Sequence, residues 1–235
     1  MISTIQSFAK VNLFLKITGK KNYQQGQYHT IFSRFMIYKD LYDEMEISFD
    51  NPCFDVLGDF DCPLSENTIY KAYKELLPYV SEEKKQQISH LKIEVQKKIP
   101  SGGGLGGGSS NAASFLKWVN DALEINLSQE VLVKIGQRVG SDVAFFISGF
   151  EMAHVSGRGE ILECYQKELP LKIEIINSKI TCCTSKIYSE YAKNFFKPVD
   201  SNLIKVWESL NNHEILKKSP LEANDLLAPL LNLYP

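Results

Sequence analysis

Glycine crowds one short stretch of the chain. Residues 97–111 read KKIPSGGGLGGGSSN, and six of the seven residues from Gly102 to Gly108 are glycine. Without a Cβ, successive backbone N–H groups can close over an anion. The segment that follows predicts a helix, whose first turn adds unpaired N–H groups and a partial positive charge. A plain turn needs only one or two glycines, so the pattern indicates a phosphate-binding loop.

Two common nucleotide loops fit these glycines poorly. A Walker A loop ends in Gly-Lys-Ser/Thr, and here no lysine follows until Lys117. The dinucleotide pattern G-x-G-x-x-G is met by Gly102, Gly104 and Gly107, but a glycine run satisfies it almost by accident. Its acidic partner should come about twenty residues later, and Asp121 is somewhat early. A dinucleotide-dependent oxidoreductase is therefore a distant alternative.

Regular elements must hold this loop on both sides. Leu91, Ile93 and Val95 alternate with polar residues and predict a strand before it. A helix is predicted over 109–123, with Ser109, Ser110 or Asn111 as its cap. Further helices are predicted over 64–80, with Ser65 or Asn67 as the cap, and between Ser128 and Gly140.

The remaining segments suggest two domains, 1–155 and 156–235. Strands are predicted over 8–17, 31–49, 152–165 and 169–182, and helices over 185–196, 201–218 and 222–234. The acidic cluster of Asp40, Asp43, Glu44 and Glu46 is predicted to be a solvated edge rather than a metal site, since no ligand spacing accompanies it.

Composition narrows the function classes. The net charge of −2 argues against a nucleic-acid footprint, and no apolar run has the length of a membrane span. The five cysteines include no C-x-x-C pair, and the four histidines are scattered. We therefore expect free thiols, no histidine metal site and a cytoplasmic location.

Several segments, in order, carry a family resemblance. SFAKVNLFLKITGK, NTIYKA, IPSGGGLGGGSSNAA, VGSDVAFFISG, GRGEIL and NDLLAPLLNLYP are similar to segments of the GHMP kinases, a superfamily of small-metabolite kinases. The resemblance implies an α+β fold, with an N-terminal ATP-binding α/β domain like ribosomal protein S5 and a smaller C-terminal α+β domain. The family's third glycine-rich segment, of the type S-G-S-G, is not found before Pro235, so we expect the second domain to lack its last segment.

The resemblance also implies roles for individual residues. Asp142 would be the catalytic base and Lys10 its cationic partner. The ATP-binding residues would be Gly102, Gly103, Gly104, Leu105, Gly106, Gly107, Gly108, Ser109 and Ser110, with Asn67 and Lys97 near adenine. The substrate-binding residues would be Asn12, Tyr28, His29, Thr184 and Tyr188. Without the resemblance, Lys10 would be read as an exposed strand lysine and Asp142 as an ordinary helix cap.

The implied reaction is ATP-dependent phosphorylation of a hydroxyl group. The K-x-N-L-F-L and Tyr28–His29 segments resemble those of one member of the superfamily, and this resemblance implies that the acceptor is the 2-hydroxyl of a cytidine diphosphate-linked methylerythritol, an intermediate of non-mevalonate isoprenoid synthesis. Mg²⁺ would be held mainly by phosphates and water, and we expect a monomer or weak homodimer. The alternatives are a kinase for homoserine, mevalonate or a sugar, and a non-catalytic nucleotide-binding relative.

Overall fold

Two long strands open the chain, and most of the helices follow. The structure is a computed structural model that describes residues 2–23, 26–49, 51–168, 171–176, 182–196 and 201–234. The strands are β1 (Ile2–Tyr23), β2 (Gly26–Ser48), β3 (Asp55–Gly58), β4 (Lys92–Gln96), β5 (Met152–Gly157) and β6 (Ile161–Cys164). The helices are α1 (Thr68–Leu76), α2 (Glu82–Ser89), α3 (Gly107–Ala122), α4 (Gln129–Val139), α5 (Val143–Ser148), α6 (Thr184–Glu190), α7 (Ser201–Ser209), α8 (Asn212–Leu216), α9 (Pro220–Ala223) and α10 (Leu227–Leu233).

The chain forms two compact units that interleave along the sequence. The first contains Met1–Ala9, Tyr38–Ser101 and Leu105–Gly149, and the second contains Lys10–Ile37, Gly102–Gly104 and Phe150–Pro235. Strands β1 and β2, which pair with each other, therefore contribute residues to both units. The predicted domain division at residue 155 stays a prediction.

The first unit contains strands and a group of packed helices. The end of β2 pairs antiparallel with β4, with Ile47 opposite Ile93, and β3 pairs parallel with β4. Ile93 and Val95 are buried, whereas Glu94 and Gln96 are exposed, which confirms the predicted strand. Helices α3 and α4 contact each other, and α1 and α5 each contact both of them. The strand β4 and the helix α3 thus hold the two ends of the glycine-rich loop.

Of the three first-unit helices for which the sequence predicts a Ser or Asn side-chain cap, two begin at a predicted cap. The Asn67 side chain accepts from the Ile69 amide at the start of α1, and Ser128 accepts from Val131 at the start of α4. The predicted cap of α3 is wrong. This helix begins two residues early, after Gly106, which adopts a left-handed conformation and makes no side-chain cap.

The second unit packs strands against the C-terminal helices. Residues 31–36 of β2 pair antiparallel with β5, and β5 pairs antiparallel with β6. Phe14 and Phe32 from the strands form a core cluster with Trp207 and Ile215 from the helices. Asp225, just before α10, accepts from the backbone amide of Ile17 and pairs with Lys16. These contacts tie the end of the described chain to its first strand.

Some expectations for the second unit hold and one fails. The predicted strands over 152–165 and the helix over 185–196 are confirmed, although Tyr191–Phe195 forms a π-helical turn. Helices are also present in the segments predicted over 201–218 and 222–234, but each segment is divided: α7 ends at Ser209 before α8, and α9 ends at Ala223 before α10. The strand predicted over 169–182 is wrong for 171–176, which have no regular structure, and most of its other positions lie outside the described residues. None of the five cysteines, all of which lie in the described ranges, forms a disulfide. Within the described segments, no helix has both the length and the apolar character needed to cross a membrane.

Candidate active site

The glycine-rich loop uses backbone conformations that favour glycine. Gly102, Gly104 and Gly106 all have φ of 71°, in the left-handed region that side chains disfavour. Gly107 is required for a different reason, because a Cβ there would lie 2.9 Å from Ile99 Cγ2. A Cβ on Gly104 would meet no described atom within 4 Å, so its space is open. Close packing and open space therefore both occur within one loop.

A hydrogen bond joins the start of α3 to the start of α1. Thr68 Oγ1 donates to the Gly108 carbonyl oxygen at 2.6 Å, a contact that the sequence did not suggest. Ser110 is only 1% exposed, whereas Ser109 is partly exposed and lies beside Gly140. Asn67 is buried and its amide oxygen caps α1. The ATP contacts expected of these side chains stay predictions.

A buried carboxylate, which the sequence analysis misjudged, forms hydrogen bonds with residues on both sides of this loop. Asp43 is 0% exposed, so the prediction that its acidic cluster is solvated is wrong at this position. Its carboxylate pairs with Lys97, and Lys97 Nζ also donates to Asn111 Oδ1 at 3.1 Å. The signal was present in the strand alternation, because Asp43 has the same parity as the buried residues Met45 and Ile47.

Asp142 lies at the start of α5, in the first unit. It is the N-cap residue and is partly exposed, which confirms that it opens a helix. Its side chain makes no capping hydrogen bond to that helix. An N-cap carboxylate normally accepts from the helix amides. The carboxylate of Asp142 therefore does not cap α5, although the position of the residue would suit that role.

Lys10 lies in the second unit and is 4% exposed, so the reading as an exposed strand lysine is wrong. Its ammonium group donates to Asn12 Oδ1 and lies 4.1 Å from the centre of the Phe35 ring. Asn12 Nδ2 donates to Ser33 Oγ at 3.1 Å, and Ser33 donates to the Phe14 carbonyl oxygen. This chain of hydrogen bonds fixes which end of the Asn12 amide faces Lys10. Two residues that the sequence analysis assigned separate roles are therefore in direct contact.

An aromatic cluster in the second unit joins two predicted substrate residues. His29 stacks on Tyr188, with ring centres 5.5 Å apart and planes 28° apart, and meets Tyr191 edge-on. His29 Nε2 is buried and has no hydrogen-bond partner among the described residues. Burial, and then the charge of Lys20, lower the pKa of His29. A neutral imidazole with an unused polar atom can recognise a polar aromatic ligand.

Tyr28 and Thr184 complete the list of predicted substrate residues. The guanidinium of Arg158 lies 3.9 Å from the centre of the Tyr28 ring, a contact within the second unit that the sequence analysis missed. Thr184 is the first residue of α6 and is exposed. The preceding residue, Cys183, is an exposed thiol whose pKa is lowered, first by a hydrogen bond from Ser185.

The second unit also brings a histidine beside two glutamates. Potential ligand atoms of His154, Glu163 and Glu208 lie within 4.8 Å of one another, a cluster that the sequence analysis did not foresee. Arg34 donates to His154 Nε2 from Nε at 3.1 Å and from Nη2 at 2.8 Å. The neutral ring then carries its proton on Nδ1, which leaves neither nitrogen a lone pair for a metal. We therefore read His154 as a hydrogen-bond acceptor for Arg34 rather than as a metal ligand.

Comparisons with known proteins agree with this arrangement. Residues 67–150, which include the glycine-rich loop and Asp142, match the family model "GHMP kinases N terminal domain". A 4-diphosphocytidyl-2-C-methyl-D-erythritol kinase of Sulfurimonas denitrificans is 42% identical over 97% of this chain and 87% of its own length. A protein of the same name from Sulfurovum sp. is 40% identical, over 99% of this chain and 90% of its own length.

A solved structure extends the likeness to the fold. The crystal structure of a 4-(cytidine 5'-diphospho)-2C-methyl-D-erythritol kinase superposes with a TM-score of 0.70 and 25% identity, over 99% of this chain and 79% of that chain. The predicted GHMP kinase fold is thereby confirmed. Family, identity and coverage point the same way. This chain belongs to the 4-diphosphocytidyl-2-C-methyl-D-erythritol kinases, which are small-molecule kinases of the GHMP superfamily.

Proposed function

We propose that this chain transfers the γ-phosphoryl group of ATP to the 2-hydroxyl of 4-diphosphocytidyl-2-C-methyl-D-erythritol. The observation that carries this proposal is the loop of left-handed glycines that opens α3. Enzymes of phosphoryl transfer act mainly by positioning the phosphates and offsetting their charge. The loop amides before Ser110, whose own amide donates to the Gly106 carbonyl oxygen, would supply donors for that purpose. The ammonium group of Lys97, paired with Asp43, lies beside Gly107.

Lys10 and Asp142 have the chemistry that acceptor activation requires. Asp142, with its carboxylate not used for capping, would orient the acceptor hydroxyl and take its proton. Lys10, buried and held by Asn12, would offset the negative charge that develops on the transferred group. Lys10 and Asp142 belong to different units, so variants of each side chain must test each role separately.

The aromatic cluster of the second unit is our proposed cytidine site. The cytosine base would stack on Tyr28 or on the His29–Tyr188 pair, because both present aromatic faces. The buried Nε2 of His29 would gain the hydrogen-bond partner that the described residues do not supply. Asn12 and Thr184 would contact the rest of the acceptor.

Mg²⁺ fits this site only as an ion carried by the nucleotide. The buried carboxylate of Asp43 contacts residues on both sides of the loop, and both of its oxygens already accept hydrogen bonds from the protein. Mg²⁺ prefers to keep several water ligands and to bind phosphate oxygens. Its contribution would be to neutralise phosphate charge. We further propose a cytoplasmic enzyme, in keeping with five free thiols, that is a monomer or a weak homodimer without a nucleic-acid partner.

ADP release tests the proposal. The purified protein with ATP, Mg²⁺ and the cytidine-linked acceptor should release ADP, and mevalonate or homoserine should not replace the acceptor. Asp142→Asn should lower kcat by roughly 100-fold or more, because it removes the base. The matched control is Asp121→Asn, which makes the same change at an exposed position of α3. Equal background release from the wild type and Asp142→Asn would indicate a non-catalytic nucleotide-binding protein instead.

A further inference from the structure

One buried carboxylate holds both ends of the glycine-rich loop. Asp43 Oδ1 accepts from the backbone amides of Lys98 and Ile99, at 2.7 Å and 2.9 Å. Asp43 Oδ2 accepts from Asn111 Nδ2 at 3.0 Å and pairs with Lys97. Residues 97–99 precede the loop, and Asn111 lies in the helix that follows it. We propose that Asp43 is the positioning residue that sets the loop's conformation for the donor nucleotide.

We call Asp43 with these hydrogen bonds the anchor. Because Asp43 is buried, it depends strictly on those bonds. Asp43 is 0% exposed and Asn111 is 1% exposed, so water cannot replace a lost partner. A buried carboxylate is tolerated only when its oxygens are fully hydrogen-bonded. The requirement runs in both directions, because the loop segments must stay near Asp43 to satisfy it. Loop conformations that move residues 97–99 or Asn111 away are therefore disfavoured.

Packing beside the anchor leaves little freedom. A Cβ on Gly107 would lie 3.3 Å from Lys97 Nζ as well as 2.9 Å from Ile99 Cγ2. The ammonium that pairs with Asp43 therefore lies directly against the first residue of α3. Displacing Lys97 would shift the helix terminus whose amides we assign to phosphate. Asp43 does not reach the phosphates itself in this account, and it acts through Lys97, Asn111 and the backbone.

The anchor is part of β2, which gives it a rigid base. Glu44, the next residue, pairs with Gln96 of β4, so Asp43 lies one position beyond the last paired residues of the two strands. Its neighbours on the same face, Met45 and Ile47, are 0% exposed. A side chain on a buried strand is more precisely placed than one on a loop. This inference rests on the proposed function only in assigning the loop to ATP.

Asp43→Asn is the direct test. The new amide can still accept from the backbone of Lys98 and Ile99, but its NH₂ group opposes the Lys97 ammonium. We expect the Kd of a non-hydrolysable ATP analogue and the KM for ATP to rise about tenfold or more, as for loss of a charge-assisted hydrogen bond. The KM for the acceptor should stay within about twofold. Glu46→Gln is the matched control, since it removes one carboxylate from the exposed face of the same strand.

Hydrogen exchange separates anchoring from nucleotide chemistry. In nucleotide-free protein, Asp43→Asn should speed amide exchange over residues 102–110 relative to Glu46→Gln. Asn111→Leu should act in the same direction and serves if Asp43→Asn does not fold. In the double variant, the factor by which amide exchange speeds up should be smaller than the product of the factors for the two single variants.

Each outcome of these experiments either supports or overturns the inference. Faster loop exchange together with an ATP-specific rise in KM supports the inference. Equal increases in both KM values, or loop exchange unchanged in folded variants, overturn it. Wild-type protein without affinity for the ATP analogue would refute the proposed function, whereas faster loop exchange in the variants would still support the anchor.

Discussion

Strand β2 contributes two fully buried charges, and they are held in opposite ways. Asp43, in the first unit, is an anion surrounded by donors. Arg34, in the second unit, is a cation that donates to His154 Nε2, to Asn212 Oδ1 at 2.8 Å and to the Leu210 carbonyl at 2.8 Å. Both side chains are 0% exposed. The same rule, that a buried charge needs a full set of hydrogen bonds, is satisfied around both.

The partners differ in what they connect. Those of Asp43 flank a glycine-rich loop whose conformation matters for binding. Those of Arg34 are His154 in β5, Leu210 between α7 and α8, and Asn212 at the start of α8, so the guanidinium joins a strand to the C-terminal helices. Its stacking 3.7 Å above Tyr165 adds packing. The contrast predicts that losing Asp43 changes function, whereas losing Arg34 lowers the stability of the second unit.

Arg34→Met should have the largest effect on stability. It would leave the buried acceptors on His154, Asn212 and Leu210 without their donor, and removing one partner from such a network costs about 3–5 kcal/mol. We expect urea unfolding to show a loss of that order. Arg138→Met is the control, because Arg138 is exposed and its 3.5 Å contact with Glu75 should contribute under about 1 kcal/mol. Similar losses in both variants would remove the contrast.

His154 should make the stability of the second unit depend on pH. Burial, followed by the charges of Arg34 and Lys167, lowers the pKa of His154 to about 4. The unfolded chain binds this proton near pH 6.5, so stability is complete above that pH and falls as the pH drops towards 4. The expected loss is at most about 3 kcal/mol, by the same linkage.

Urea midpoints measured from neutral pH down to about pH 4.5 would check this window. His154→Gln keeps an acceptor for Arg34 but cannot titrate, so it should flatten the pH dependence. His213→Gln changes an exposed histidine and should retain the wild-type dependence. An unaltered pH profile in His154→Gln would contradict the assignment.

Ser33→Ala should have the smallest effect, and it sharpens the comparison along β2. Ser33 precedes Arg34 and faces the other side of the strand, where its oxygen accepts from Asn12. Losing this hydrogen bond frees the Asn12 amide that faces Lys10, which should lower kcat about 3–10-fold. Thr18→Val removes a 2.9 Å hydroxyl contact with Thr30 on the same two strands and should leave kcat nearly unchanged. A kcat for Ser33→Ala equal to that of Thr18→Val would argue against the positioning of Lys10.

Local signals explain what the sequence could predict. Strand β4 follows from alternation at Ile93 and Val95, and α4 follows from its Ser128 cap and Gly140 stop. The glycine-rich loop could be identified from the sequence, because few structures other than a phosphate-binding loop need so many glycines in one stretch. Asp142 was found through the family resemblance, and its position at the start of α5 agrees.

Long-range contacts explain what the sequence could not predict. The hydrogen bonds of Asp43 reach 54–68 residues along the chain, so only the strand parity hinted at its burial. The early start of α3 depends on Gly106 adopting a left-handed conformation in place of a side-chain cap. Residues 171–176 alternate as a strand should, yet no described strand pairs with them. Pairing, rather than pattern, decides whether such a segment becomes a strand.

The central claim is that the glycine-rich loop binds the phosphates of ATP. Glycine-selective ¹⁵N labelling with a non-hydrolysable ATP analogue tests it most directly. The amide resonances of Gly102, Gly103, Gly104, Gly106, Gly107 and Gly108 should shift on titration, while those of Gly58 and Gly149 should stay in place. Shifts confined to glycines outside the loop, or none at a saturating concentration of the analogue, would contradict the claim.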